Sequence, residues 1–239
     1  YGSTIWIDKL LKEQNAIVKS HKEDWDRQTR KEYKEKGRKK RVAVMLFALL
    51  CNFGILAFLK YIPYAGELGL LLPLGISFYT FQSMGYVMDV YREIVEPEKN
   101  FLKVALFVSF FPQIIQGPIA IYDKLAGQLY EGHSLRLENL QKGALLVLWG
   151  VMKKLVIADR AVNIINFVMD KPMDFSGTYV FFAAVVYALQ LYADFSGGID
   201  IVRGTAEMFG ITKSTNFNHP YISRSLTEYW HRWHMTLGD

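Results

Sequence analysis

The chain has 239 residues, 51% of them hydrophobic and 15% aromatic, with a net charge of +5 and one cysteine. Cys51 alone cannot form an intrachain disulfide or a cysteine-based zinc site. So apolar and aromatic a composition suits a membrane protein better than an average soluble domain, and a mean hydropathy of only +0.09 then requires the polar residues to be gathered in one place.

They are gathered near the start. Residues 8–41 carry thirteen Lys/Arg against seven Asp/Glu, which leaves fifteen basic and sixteen acidic residues elsewhere. The basic character belongs to this segment, which reads as an exposed helix or a loop. Nucleic acid is the generic partner of a basic run, but this run leads straight into an apolar stretch. The expectation is therefore a cytoplasmic juxtamembrane segment beside the lipid bilayer, with no nucleic-acid partner. Residues 42–59 contain no charge, are as long as a transmembrane helix, and lie between Arg41 and Lys60.

Residues 68–88 form a second uncharged run, interrupted by Pro73 and Gly75, residues that membrane helices tolerate when neighbours satisfy the freed backbone. A polar turn, EIVEPEKN, follows at 93–100. Residues 104–122 are a third run, whose FPQIIQGPI predicts a re-entrant or broken helix buried in protein. After a polar stretch, residues 143–152 are apolar until Lys153 and Lys154 intervene. Two lysines at mid-depth are expensive, so a helix is expected to end there near the interface, with an amphipathic segment continuing. Residues 179–189 begin another span that runs into QLYADFSGGIDIVRG.

Three places carry chemically versatile side chains. In SLTEYWHRWH, Ser225 with Glu228 three positions on is a capping-box pattern, which predicts a helix from Leu226. On that helix Leu226, Tyr229, Trp233 and Leu237 make an apolar stripe, Thr227, His231 and His234 a polar one, and Glu228 pairs with Arg232. Three readings fit: an interfacial helix with an aromatic belt, a general base at His234 or His231, or a zinc site that adds His219. In LQLYADFSGGIDIVRGTAEMFG, Gln190, Asp194 and Asp200 punctuate apolar surroundings, and Gly197–Gly198 permits close backbone approach or a break. Asp200 or Glu207 has Arg203 as a local partner; Asp194 has no local cation and is the more interesting acid. In FPQIIQGP, the amides of Gln113 and Gln116 either satisfy broken backbone or line a polar path. No phosphate loop, nucleophile elbow or His-Glu-x-x-His is present.

Four stretches together resemble the membrane-bound O-acyltransferase family and particularly its bacterial branch: PLGISFYTFQSMGYVMDVYR (73–92), FVSFFPQIIQGPI (107–119), LQLYADFSGGIDIVRGTAEMFGI (189–211) and NFNHPYISRSLTEYWHRWHMTLGD (216–239). The resemblance runs from about residue 42 to the end. It implies an enzyme that moves an acyl group, acetyl or D-alanyl, from a cytoplasmic thioester donor to a hydroxyl of an extracytoplasmic surface polymer. The donor is acyl-CoA or an acyl carrier protein, no cofactor or metal is bound, and an extracytoplasmic acyltransferase is a further partner. The histidine that closes the family's Trp-x-Arg-Trp-His block is His234 here. The family's other histidine lies in a downstream Trp-His-Gly segment that this chain does not contain, so the chain is expected to be an inactive fragment of a longer protein. Asp194, Ser196, Arg232 and Trp233 are expected to support the site, Asn216 and Asn218 to shape it or hold the acceptor, and Gln113 and Gln116 to line it. His231 departs from the family's usual Arg or Asn and reads as peripheral.

The expected fold is all-α: a multi-pass transmembrane helical bundle with re-entrant and interfacial helices in a bacterial cell membrane. Residues 1–41 form a basic cytoplasmic segment and 42–239 part of the transmembrane domain. A transporter or channel, or a non-catalytic scaffold for polymer export, stands as the alternative.

Overall fold

The computed structural model of the chain describes residues 1–21, 24–61, 73–114, 117, 121–213 and 215–238. It divides into two compact units, Tyr1–Phe110 with Ala120–Tyr130, and Phe111–Ile119 with Glu131–Asp239. The described residues form helices and no strand, in keeping with the all-α expectation, apart from one isolated bridge between Phe217 and Trp233.

In the first unit α1 (Gly2–Ser20) packs along α2 (Arg27–Tyr61), followed by α3 (Ile76–Tyr91), α4 (Phe101–Val108) and α5 (Tyr122–Glu131). The join between the basic and apolar stretches at 41/42 falls inside α2, a single 35-residue helix. Its apolar half turns Phe47, Leu50 and Ile55 outward, at 66%, 70% and 59% exposure, a surface that suits lipid rather than water. Asn100 starts α4, its side chain accepting from the Leu102 N–H at 2.9 Å, one of the donors that a helix start leaves unpaired. The core of this unit is aromatic, with Tyr122 4.5 Å from Tyr86 and 4.9 Å from Phe107 between ring centroids.

The second unit is built on α6 (Leu137–Met152), a π-helical segment (Lys153–Ala158), α7 (Asp159–Met169) and the 32-residue α8 (Gly177–Met208). Two short helices, α9 (Leu226–Arg232) and α10 (Met235–Gly238), follow. Helices α6 and α8 lie antiparallel and touch backbone to backbone. A Cβ on Gly150 would sit 2.5 Å from the Gly197 carbonyl oxygen, and one on Gly143 2.5 Å from that of Gly204; the reciprocal distances are 2.8 and 2.6 Å. Glycines seven apart on each helix thus form two contact points that admit no side chain, the usual means of close approach between membrane helices. Gly197→Val or Gly150→Val is expected to push the helices apart and lower stability by about 1–3 kcal/mol. Thermal unfolding in detergent checks this, with Gly177→Val, where a Cβ meets nothing within 4 Å, as the unaffected control.

Among the described residues two helices are long and apolar enough to cross a membrane, α2 and α8. The 104–122 run is broken as expected: α4 ends at Val108 and a 3-10 turn occupies Phe111–Gln113, while 115, 116 and 118–120 lie outside the described residues. Of the 68–88 run, 68–72 lie outside them and the remainder enters α3. One expectation is corrected. No helix ends at Lys153–Lys154; α6 passes without interruption into the π segment and α7. Both lysines instead reach across to α8, where carboxylates receive them.

Candidate functional site

The local logic of residues 216–236 begins with the cap. Ser225 Oγ accepts from the Glu228 N–H at 3.1 Å, as its pattern requires, and α9 starts at Leu226. The Glu228 carboxylate turns back to the Arg224 N–H at 2.8 Å rather than to that of Ser225, and pairs with Arg232 at 2.8 Å. The amide contact and the neighbouring guanidinium hold this exposed carboxyl below its usual range.

The helix does not continue through the second tryptophan and histidine. It ends at Arg232; Trp233 is extended at φ −100° and ψ 119°, and His234 is left-handed at φ 51°. The stripes drawn through Trp233 and through His234 at helical spacing are therefore broken, and His231 stays exposed on α9 while His234 leaves it. The cause lies 16 residues upstream of the bend. The Asn218 N–H donates to the Arg232 carbonyl at 3.0 Å, the Asn216 carbonyl accepts from the Met235 N–H at 3.0 Å, and the Asn216 side chain accepts from the Thr236 N–H at 2.8 Å. Residues 216–218 thus run antiparallel to 232–235 and take the hydrogen bonds that a continued helix would have made internally. A left-handed non-glycine residue costs roughly 1–2 kcal/mol, and these three bonds hold it in place.

The bend presses Trp233 into an aromatic nest. Its ring stacks on Tyr229 at 5.6 Å and 16°, meets Phe217 edge-on at 5.1 Å, and lies 6.1 Å from Tyr192 and 6.2 Å from Tyr221. His234 lies on Phe195 of α8 at 5.1 Å and 22°. Three polar atoms around the bend are buried without a hydrogen-bond partner among the described residues: His234 Nδ1, Asn216 Nδ2 and Thr236 Oγ1. Leaving buried polar groups unpaired costs about 1–3 kcal/mol each in an ordinary core, and three such atoms belong to this one bend. Asn218 is exposed, and its Oδ1 lies 3.2 Å from His219 Nδ1. Among the described residues no three His, Cys, Asp or Glu side chains gather as metal ligands.

On α8, flanking Phe195 in sequence, a charged strip runs from Asp194 to Arg203. Lys153 bonds Asp200 at 2.5 Å and Ser196 at 3.0 Å; Arg203 holds the other Asp200 oxygen at 3.3 Å. Asp194 has no local cation, as its sequence neighbours show, and takes Lys154 from 40 residues upstream instead. The Lys153–Asp200 pair is the more enclosed, at 12% and 14% side-chain exposure against 40% and 36% for Lys154–Asp194. A π segment widens the helix by one residue per turn, and both lysines sit at its start, facing α8. Sequence reasoning missed their role because the partner acids lie 40 and 47 residues further on.

A third cluster joins the 3-10 turn to the segment that follows α8. Lys213 Nζ bonds Gln113 Oε1, both residues being buried, while Gln113 Nε2 has no partner among the described residues. Gln116 lies outside the described residues. Nothing in the local sequence marked Lys213. Burial pulls its ammonium down from 10.5 to about 7. A lysine whose folded pKa lies below its unfolded one binds fewer protons when folded across the window between about 7 and 10.5, so folding becomes more favourable as pH rises through that window. Thermal stability is accordingly expected to rise from pH 7 to pH 9, and Lys213→Met to flatten that rise.

The structure thus gathers His234, Trp233, Asn216 and Arg232 around one bend, with Phe195 of α8 beneath, and places Asp194 and Ser196 in the strip of ion pairs along the same helix.

No family model matches the chain. Among curated proteins it is similar to the peptidoglycan O-acetyltransferase of Helicobacter pylori, 32% identical over 232 residues, covering 81% of the chain and 44% of that protein. It is 38% identical over 171 residues to the probable alginate O-acetylase AlgI of Pseudomonas aeruginosa, covering 71% of the chain and 32% of the relative. It is 28% identical over 171 residues to the teichoic acid D-alanyltransferase of Bacillus subtilis, covering 69% and 42%. The chain spans less than half the length of each of these relatives.

Proposed function

The chain belongs to the membrane-bound O-acyltransferase family, and from that premise we propose that it is part of an enzyme that transfers an acyl group to a hydroxyl of a cell-surface polymer. The transferred group is acetyl or D-alanyl, and the acceptor belongs to the same broad class as the polymers named for its relatives. The protein is a multi-pass protein of the bacterial cell membrane, with α2 and α8 among its spans and residues 8–41 in the cytoplasm. The donor is a cytoplasmic thioester carried on coenzyme A or a carrier protein, and an extracytoplasmic acyltransferase completes the pathway to the polymer.

The observation that carries the reading is His234: an imidazole in a left-handed bend, held face-on against Phe195, with a buried ring nitrogen that no described residue engages. Acyl transfer from a thioester needs a base on the acceptor hydroxyl, and a positioned base is worth on the order of 10²–10⁴-fold. His234 takes the hydroxyl proton as the oxygen attacks the thioester carbonyl. The C–S bond breaks as the new C–O bond is completed, and the proton passes to the leaving thiolate. The Asn216 amide, whose Nδ2 is likewise unspent, donates toward the oxyanion that develops. Trp233 and the bonds from Asn216 and Asn218 hold the imidazole in register.

The test uses the purified full-length protein in proteoliposomes, with thioester donor labelled in its acyl group on one side and a hydroxyl acceptor on the other. The enzyme reading expects label in ester linkage on the acceptor. Label crossing the bilayer without ester formation would replace it with a transporter, and neither outcome above empty liposomes with any donor would leave a scaffold.

A further inference from the structure

We propose that the cleft between α1 and the basic half of α2 binds the headgroup phosphate of an anionic phospholipid. The cleft lies wholly in the first unit and encloses about 630 Å³. Its α2 wall carries Lys31, Lys34, Arg38 and Arg41, at spacings of three, four and three, so four cations share one face of the helix. Glu35 and Glu93 are the two carboxylates of the lining, leaving it with an excess of two positive charges.

The floor is built rather than incidental. Gln14 of α1 is buried and rests directly over Gly37 of α2, where an added Cβ would lie 2.3–2.5 Å from the Gln14 amide. From there Gln14 donates to the Tyr33 carbonyl at 3.0 Å and accepts from Arg41 at 2.5 Å. Arg41 is 11% exposed, with Glu93 at 3.8 Å from one amino group. Its Nε is buried without a partner among the described residues. A guanidinium fixed in this way offers its planar donors to an oxyanion at little further entropic cost, which is the geometry that suits phosphate.

Position along α2 selects the source of that phosphate. The apolar run begins at residue 42, directly after Arg41. At 1.5 Å of rise per residue the four cations cover roughly 15 Å above that boundary, whereas the headgroup layer on each side of the hydrocarbon is about 5–8 Å deep. Arg41 and Arg38 therefore stand at phosphate level when α2 crosses the bilayer, and Lys34 and Lys31 above it. Basic residues immediately outside a membrane helix attract anionic lipid by about 1 kcal/mol each, and a cleft of this size has room for a phosphodiester and its polar head. The proposal is independent of the acyl-transfer reading.

Native mass spectrometry of the full-length protein from nanodiscs tests it, comparing phosphatidylcholine alone with phosphatidylcholine containing phosphatidylglycerol. Wild type is expected to retain phosphatidylglycerol over phosphatidylcholine. The Lys34→Gln/Arg38→Gln variant is expected to retain it about 30-fold less, the equivalent of about 1 kcal/mol for each of two charges at tenfold per 1.4 kcal/mol. Lys36→Gln/Lys39→Gln, with the same loss of charge outside the cleft lining, is expected to lose only the diffuse surface attraction and so to retain phosphatidylglycerol several-fold better than the cleft variant. Equal loss in both double variants would reduce the effect to general surface charge and overturn the site. A third arm adds inorganic pyrophosphate to the phosphatidylcholine discs. Stabilisation of wild type by pyrophosphate, without preference for phosphatidylglycerol, would assign the cleft to a soluble phosphate and overturn the lipid. Thermal unfolding of each variant in phosphatidylcholine shows that it is folded.

Discussion

Asp200→Ala is expected to destabilise the second unit by about 3–5 kcal/mol, because it strands Lys153 as an uncompensated, largely enclosed ammonium between α8 and the π segment. Lys153 would keep only its bond to Ser196, and Arg203 would lose its bond at 3.3 Å. Replacing both charges by apolar residues, Lys153→Met with Asp200→Leu, is expected to recover most of that stability, since removing a buried pair outright is often neutral where breaking one is not. Asp194→Ala is expected to cost far less, as Lys154 and Asp194 are each more than a third exposed and solvent screens such a pair. Thermal unfolding of the four proteins in detergent orders them. A loss at Asp194 as large as that at Asp200 would contradict the assignment of the enclosed pair as the structural one. Transfer that stays low in the stable double variant would show instead that the ion pair serves the reaction.

His234 separates backbone from chemistry. At φ 51° the residue carries the strain of a left-handed backbone, which glycine would relieve by roughly 1–2 kcal/mol. Against this, His234→Gly loses the stacking on Phe195, worth about 0.5–1.5 kcal/mol, and adds freedom to the unfolded chain, worth about 0.5–1 kcal/mol. The terms nearly cancel, so the glycine variant is expected to be about as stable as wild type. His234→Ala keeps the strain, loses the ring, and is expected to be the less stable of the two. Both remove the imidazole, and both are expected to lower acyl transfer by on the order of 10²–10⁴-fold. A purely structural histidine predicts the opposite ordering of consequences: activity would follow stability, and glycine would rescue what alanine loses.

What could be read from the sequence was local or periodic. The start of α9 followed from Ser225 and Glu228, three residues apart, and the pairing of Glu228 with Arg232 from one turn of helix. Gly197 was legible as a point of close approach, and the apolar stretches of α2 and α8, long enough to cross a membrane, from their uncharged runs. What escaped depends on partners distant in the chain. Trp233 and Leu237 continue the helical spacing of Leu226 and Tyr229, so nothing in residues 226–237 announces a break. It is imposed by Asn216 and Asn218, which take the hydrogen bonds of residues 232–236. Lys153 and Lys154 looked too costly for a helix interior because Asp200 and Asp194 lie 47 and 40 residues away. Residues 73–92, 107–119, 189–211 and 216–239 carried the family resemblance, and the relatives match over 81% and 71% of the chain.

The measurement that bears most directly on the account is labelled acyl transfer by the full-length His234→Gly protein in proteoliposomes, set against wild type at equal amounts of folded protein. The account predicts at least a hundredfold fall in ester formation with thermal stability little changed. Wild-type transfer by the glycine variant would contradict it and leave His234 a structural residue of the bend.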